Sequence, residues 1–347
     1  MGAPFSWSIC VRMLFLPFVR VLQMNKYLFE SAPGTNATSI EWTRMYQYLS
    51  AFGVTRCIAG DFRAFDKNMG SLVILLAFAF IINICRACGM PEQYLRAMWT
   101  VAYDTAFAFC NYNGDLVQFF GSNPSGHPLT VIINCIVNCF YMRYCYHELN
   151  PAREVDSFKA NVRLMVYGDD NESASRVEWF NHTAIAEVLE SIGIGYTMAD
   201  KTAASVPFIP LSEVSFLKRT YRFEPELGCY TSPLDEKSIW KMLMVCVPST
   251  SESAEAQCIS IVTSAVSEWF HYGRERYDEE VPKLRKVVEE SGLLCYVEEE
   301  KVFPSWDKLA QRFVKSSLDY LKHEPETTVK ILGKCTWEVP AKYAPLA

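Results

Sequence analysis

Apolar residues follow two rhythms along this chain. Up to about residue 222, short apolar runs alternate with longer helical stretches, and beyond it only the 3.6-residue helical spacing continues. Residues 1–29 are apolar and aromatic with Arg12 and Arg20 interleaved, and read as a helix after Pro4. A loop at 34–36 leads to a helix at about 39–52, then 55–60 reads as a short buried strand that delivers Asp61. After Asp66 an apolar helix runs to Cys88, where Gly89 and Pro91 supply an exit signal. Residues 107–120 form a hairpin, since Asn113-Gly114 favours a two-residue turn with both residues left-handed. Pro128 opens a long helix to Glu148. Residues 162–167 are an apolar strand, 168–170 a tight turn and 171–174 a returning strand. A helix at about 177–192 ends on Gly193, followed by strands near Tyr196 and at 214–218, with a hairpin partner around Cys229. Helices at 233–246, 253–272, 282–291 and 305–323 complete the chain. The change of rhythm marks a domain boundary near 222–232.

Composition narrows this picture without redirecting it. With 347 residues, 50% hydrophobic and 21% charged, the chain reads as an ordered globular protein of two units, or one domain with substantial insertions. The 13 cysteines are scattered, which points to reduced thiols in a cytosolic compartment. Cys85 and Cys88 form a lone C-x-x-C with no second pair, so zinc is not expected. The net charge of -6 sits awkwardly with nucleic-acid binding, yet a sum says nothing of how charge is distributed within a channel. Residues 72–84 are too short to span a bilayer, which takes about 20 apolar residues. Residues 129–146 contain Asn134, Asn138 and Arg143. Both read as buried core helices, and the chain as not integral to a membrane.

Three groups of residues carry candidate chemistry. In Tyr167-Gly168-Asp169-Asp170 an apolar strand leads into adjacent carboxylates. Two neighbouring acids repel, and a bound cation is the usual means of keeping both ionised. The same four residues also suit an ordinary acidic hairpin turn. Asp61 and Asp66 follow a second buried strand. If the two strands pair, Asp61 approaches the Asp169 hairpin and three carboxylates surround two cations, the arrangement for in-line phosphoryl displacement. Asp66 equally suits a helix cap. Third, Ser125-Gly126 precedes a helix in which Thr130, Asn134 and Asn138 share one polar stripe. Such a stripe requires partners, either neighbouring backbone or a ligand hydroxyl.

D-x4-D, S-G-x3-T-x3-N and Y-G-D-D, in this order, resemble motifs A, B and C of RNA-dependent RNA polymerases. Gly121-Ser122-Asn123-Pro124-Ser125-Gly126 and Phe216-Leu217-Lys218-Arg219 are similar to the picorna-like positive-strand virus group, the latter to motif E. Ala199-Asp200-Lys201 resembles the end of motif D. The resemblance covers about 60–219 and extends weakly to either side. Five ordered motifs are far more specific than any one.

The resemblance implies an α/β (α+β) right-hand polymerase fold: an antiparallel palm sheet with packed helices, and a helical thumb. Residues 1–54 would be partial fingers and connecting helices, 55–222 the palm with a fingers insertion at about 89–121, and 223–347 the thumb. Asp61 and Asp169 would hold two Mg2+ ions (Mn2+ substituting), with Asp170 assisting. Asp66 and Asn134 would lie near the ribose 2′-hydroxyl, supported by Ser125, Gly126 and Thr130. Lys201 would protonate departing pyrophosphate, although an Asp-Lys turn also accounts for it. Lys218 and Arg219 would touch primer backbone or triphosphate. Implied partners are RNA template and primer, NTPs, a protein primer and other viral replication proteins, at replication complexes in the host cytoplasm. Family members carry the basic residues of motif F just before the segment resembling 2–18. They are missing here, so the chain reads as a fragment of a polyprotein. A noncatalytic RNA-binding or scaffolding piece and a reverse transcriptase are the rival readings, and Asn134 disfavours the second.

Overall fold

The computed structural model describes residues 4–123, 126–200, 203–245, 247 and 249–344. The chain divides into two compact units, Met1–Gly34 with Leu49–Pro210, and Thr35–Tyr48 with Leu211–Ala347. The divide thus falls ahead of the change of rhythm near 222, and an early helix, Glu41–Leu49, contributes most of its length to the later unit. Aromatic packing explains that assignment. Trp42 stacks on Tyr221 at 5.1 Å and donates its indole N–H to Thr220 O, while Tyr46 stacks on Tyr230 at 3.6 Å.

Among the described residues the strands are β1 (Cys57–Phe62), β2 (Phe109–Tyr112), β3 (Asp115–Gln118), β4 (Val162–Tyr167), β5 (Asp170–Ser175), β6 (Tyr196–Met198), β7 (Arg222–Glu224) and β8 (Cys229–Thr231). In the first unit β4-β5-β1-β6 form an antiparallel sheet in that order, and β2-β3 a separate hairpin. Asn113 and Gly114 both take positive φ at the tip of that hairpin, as their sequence demands. The pair β7-β8 belongs to the second unit. This is the mixed, antiparallel α/β fold expected from the sequence.

The Thr130–Leu149 helix packs on β4 and on the His182–Ser191 helix, which in turn leans on β1 and β6. A helix apolar on most sides belongs inside a core, and Ile133, Val137, Met142 and Cys145 are fully buried there. The Ser71–Ala87 helix buries Ile74, Phe78, Ile81 and Ile82, with Phe15 edge-on to Phe78 at 5.5 Å. Each such side chain contributes roughly 1.5–3 kcal/mol by leaving water. By length and composition one described helix, Phe5–Met24, would reach across a membrane, while its Val11, Phe15, Phe18 and Leu22 lie in this core.

Several expected elements differ in detail. Strand β1 runs through Asp61 to Phe62, so Asp61 lies within it. The helix expected from Asp66 to Cys88 is broken: a single turn, Phe65–Asn68, is followed by extended Met69, and the long helix starts at Ser71. The cause is a tie to a distant loop, where Ser122 N donates to Met69 O at 2.8 Å and Gly70 bridges Gly121. The helix expected at 177–192 starts at His182, because the Asn181 side chain caps it by accepting from Ala184 N. Residues 214–218 are no strand. Leu217 and Lys218 are both left-handed, and Phe216 and Arg219 exchange both backbone hydrogen bonds at 2.9 Å across a two-residue turn. The helix expected at 282–291 begins earlier, at Arg274, with Pro282 inside it.

Candidate active site

The site begins with a glycine. A Cβ on Gly60 would come 2.0 Å from the Tyr196 ring, so no other residue leaves space for that ring across β1. Tyr196 is nearly buried, and its hydroxyl donates to Asn171 Oδ1 at 2.7 Å. Burial pushes the Tyr196 phenol well above its usual range, which keeps it a donor.

Register sets the acids beside the last pair of β1 and β5. The two strands pair from Cys57↔Ala174 to Gly60↔Asn171, so Asp61 and Asp170 are the residues next to that last pair. An antiparallel register continued by one residue would put their side chains on one face. Tyr167 pairs with Asp170, leaving Gly168 and Asp169 as the turn between β4 and β5. Asp61 and Asp170 are half-buried, and Asp169 is exposed at the tip.

The turn is held from the Thr130–Leu149 helix. Asn138, fully buried, donates from Nδ2 to Gly168 O and to Asp169 O, both at 3.1 Å. One turn earlier, Cys135 Sγ accepts from Gly168 N at 3.2 Å and points its S–H at Val166 O, 3.8 Å away. Burial pushes the Cys135 thiol up to about 11, so it remains neutral and keeps its proton for that contact. Asn138 therefore finds backbone partners, the plainer of the two options the polar stripe left open.

Asn134 finds a different partner. Asn123, completely buried, donates to Asn134 Oδ1 at 2.7 Å and to Thr130 O at 3.2 Å, while its backbone N–H donates to Asp66 O at 2.9 Å. One residue thereby ties Asp66 to Asn134. The close approach beside it requires glycine, since a Cβ on Gly121 would lie 2.3 Å from Met69 O and its φ is +105°. Thr130 Oγ1 donates to His127 O at 2.9 Å. His127 accepts from Leu129 N at Nδ1, leaving Nε2 to face Thr105 Oγ1 at 3.3 Å. Burial lowers His127 to about 4, so the ring is neutral at pH 7. Gly126 is exposed beside it.

Ser125 and Lys201 lie outside the described residues. Lys218 is exposed at its two-residue turn. Arg219 is already engaged, making a two-pronged pair with Glu268 at 2.7 and 2.8 Å and donating to Ser232 O. Cys135, Asn171 and Tyr196 escape a reading by motif, while Asn123 stands in the 121–126 segment with no role of its own read there. For Asn171 the only signal is a polar residue where burial is expected, and for Cys135 its place one residue from the polar stripe.

Among the described residues, no three His, Cys, Asp or Glu side chains are gathered tightly enough to hold an ion as they stand. The donors nevertheless suit magnesium, which takes oxygen ligands, needs only one or two protein carboxylates and leaves positions for phosphate and water. Half-buried Asp61 and Asp170 and exposed Asp169 carry oxygen donors of that kind.

Comparison with known proteins bears on the family and the fold. The profile of the viral RNA-dependent RNA polymerase family matches residues 1–288. The chain is 32% identical over 304 residues to the replicase polyprotein of Drosophila C virus (strain EB), covering 83% of this chain and 17% of that protein. It is also 32% identical over 316 residues to the replicase polyprotein of Cricket paralysis virus, covering 84% and 17%. It thus spans about a sixth of these relatives. Among solved structures, the Sicinivirus 3Dpol RNA dependent RNA polymerase aligns with TM-score 0.71 and 18% identity, over 88% of this chain and 60% of that one.

Proposed function

The chain belongs to the viral RNA-dependent RNA polymerase family, and we propose that it carries the catalytic centre of an RNA-directed RNA polymerase, adding NTPs to an RNA primer on an RNA template. What supports this reading is the β1–β5 register, which ends at Gly60↔Asn171, the pair next to Asp61 and Asp170, with exposed Asp169 in the adjoining turn. In the proposal Asp61 and Asp169 hold two divalent ions, Mg2+ or Mn2+, with Asp170 assisting. When bound, the ions polarise the α-phosphate and neutralise charge on the attacking and leaving oxygens. Residues 1–54 then serve as partial fingers, 55–222 as palm and 223–347 as thumb.

Asn138 and Cys135 fix the turn from behind by neutral contacts, so the acids meet substrate in one position without rearranging. Asp66 and Asn134, linked through Asn123, read the ribose 2′-hydroxyl. A deoxynucleotide would leave these groups unpaired, which is an efficient basis for rejection. Ser125, Gly126 and Thr130 support that reader, and Lys201 protonates pyrophosphate as it leaves. Lys218 contacts a phosphate of primer or triphosphate from its exposed turn. Arg219 braces that turn through Glu268, in preference to touching nucleic acid itself. The enzyme would work in the host cytoplasm with other replication proteins and a protein primer.

Incorporation of labelled NTP on a primed template tests the proposal in the whole polymerase that contains this chain. Asp169→Ala is expected to lower the rate on the order of 10³-fold or more, equivalent to about 4 kcal/mol of transition-state stabilisation. Incorporation within a fewfold of the native rate would remove the metal role.

A further inference from the structure

Beside β6, the edge strand of the four-stranded sheet, the first unit opens a cleft of about 480 Å³ that the proposed chemistry does not use. That volume lies in the usual range for small-molecule sites, roughly 300–1,000 Å³. Arg63 lines it from the end of β1, Ala186 and Glu190 from the His182–Ser191 helix, and Ile194 and Gly195 from the loop before β6.

The cleft carries one charge of each sign, and both are within reach of a ligand. Arg63 and Glu190 are exposed, and among the described residues neither forms an ion pair with another side chain. Arg63 offers a planar fork of donors that matches phosphate in a two-pronged way. Glu190 stands in the last turn of its helix, where unpaired carbonyls add partial negative charge. Phosphate is therefore repelled at that end, and a group with O–H donors is favoured, since an ionised carboxylate only accepts. Ala186 and Ile194 are half-buried and supply apolar surface for a flat ring. A free amino acid would answer both charges, yet it would leave most of this volume and the apolar surface unused.

The Arg63 end is held in place. Arg63 N donates to Gly195 O at 2.8 Å, and a Cβ on Gly195 would lie 3.1 Å from Arg63 Cβ, so a glycine there lets the two segments close up. The same two segments pair Asp61 with Thr197, which also lines the cleft.

We propose that this cleft binds a ribonucleotide apart from the catalytic acids, with its phosphate on Arg63, its ribose cis-diol on Glu190 and its base over Ala186 and Ile194. A carboxylate that accepts from ribose hydroxyls is a common device of nucleotide sites. The proposal does not depend on which reaction the acids perform.

AMP, adenosine and 2′,3′-dideoxyadenosine monophosphate are matched probes, the second lacking the phosphate and the third the diol. Titrations in EDTA keep divalent ions, and with them the acids, out of the measurement. Carbonyl-13C isoleucine with 15N glycine selects only the Ile192–Gly193 and Ile194–Gly195 amides in this sequence, both at the cleft. Carbonyl-13C tyrosine in a second sample selects Tyr167–Gly168 at the acids and Tyr272–Gly273 in the other unit. AMP is expected to move the Gly193 and Gly195 signals saturably while Gly273 stays still. Adenosine and the dideoxy analogue should each bind about tenfold more weakly or worse, as loss of hydrogen bonds to a charged partner implies. Glu190→Ala should abolish the preference for AMP over its dideoxy analogue, and Arg63→Ala the preference for AMP over adenosine. Gly193 and Gly195 signals that AMP leaves unmoved would overturn the proposal, and a shift confined to Gly168 would place the nucleotide at the acids instead. Equal affinity for AMP and either analogue, or unchanged preferences in the folded variants, would overturn it too. The comparison of probes needs no variant.

Discussion

The Gly168-Asp169 turn of the first unit is held by neutral side chains, whereas in the second unit arginines bind carboxylates and carbonyls. Asn138, Cys135, Asn123 and Tyr196 fix backbone and amide partners without a formal charge among them. In the second unit Arg44, 1% exposed, reaches Glu324 at 2.7 Å, Gln47 at 2.8 Å and the carbonyl of Gly333 at 2.6 Å. Arg219 grips Glu268, and Arg274 joins Glu226 to Asp307 while its guanidinium lies 4.6 Å from the Trp306 ring centre. Under the proposed function the difference has a reason. A neutral scaffold orients a turn without adding to the electrostatic field that carboxylates present to a cation, whereas a structural core has no such constraint. Ion-paired arginine adds two-pronged geometry, at the cost of strong dependence on both partners.

The contrast can be broken at its strongest point first. Arg44→Ala leaves Glu324 buried without its cation, and breaking a buried pair costs about 3–5 kcal/mol. Urea unfolding should show that loss, and a change below about 1 kcal/mol would mean that the pair is not structural. Acid acts on both units. Burial holds His127 at about 4 and His271 at about 3, the latter with help from Arg219, and it also lowers His182. An unfolded histidine titrates near 6.5, so below that pH the unfolded chain takes up protons that the folded chain refuses. Stability should be level in this respect above about pH 6.5 and fall below it, by about 1.4 kcal/mol per pH unit for each histidine. The decline should continue to about pH 4 for His127 and to about pH 3 for His271. Asp307 behaves differently, since Arg274 holds its carboxyl far below the usual range. Its contribution persists above about pH 3.8 and goes only in stronger acid. Unfolding curves at pH 7 and 5 separate these windows, and equal stability at both would contradict the buried neutral rings.

Asn138→Ala comes next in size. It should cost about 2 kcal/mol of stability, with incorporation on the order of 10²-fold slower because the turn is no longer held. A stability loss with a native rate would make Asn138 a packing residue only.

Much of this was readable from residues alone, for identifiable reasons. Val162–Tyr167 is apolar and followed by a glycine turn, and it is a strand with those very bounds. Asn113-Gly114 specified its hairpin because few residue pairs accept two left-handed conformations. Strand β5 shows the limit of periodicity: Asn171, Glu172, Ser173 and Ser175 are buried in the sheet, and only the turn before them argued for a returning strand. The turn at Leu217-Lys218 was hidden because neither residue favours a left-handed backbone and the flanking residues are apolar. In the site, the acids and the stripe stood out by spacing. Asn123 did not, since its role depends on a contact between the loop at 121–123 and the turn at 65–69, which no local pattern encodes. The packing of the early helix was hidden for the same reason: Trp42 meets Tyr221 across nearly 180 positions.

The proposed function requires Asp61 on β1 and the acids at the β4–β5 turn to serve the same cations. Mn2+ binding to this chain in the presence of an NTP, followed by electron paramagnetic resonance, tests it without requiring turnover. Asp61→Asn and Asp169→Asn should each weaken Mn2+ binding at least about tenfold, and the double variant should lose less than the sum of the two because the ligands share ions. Native Mn2+ affinity in folded Asp61→Asn would contradict it.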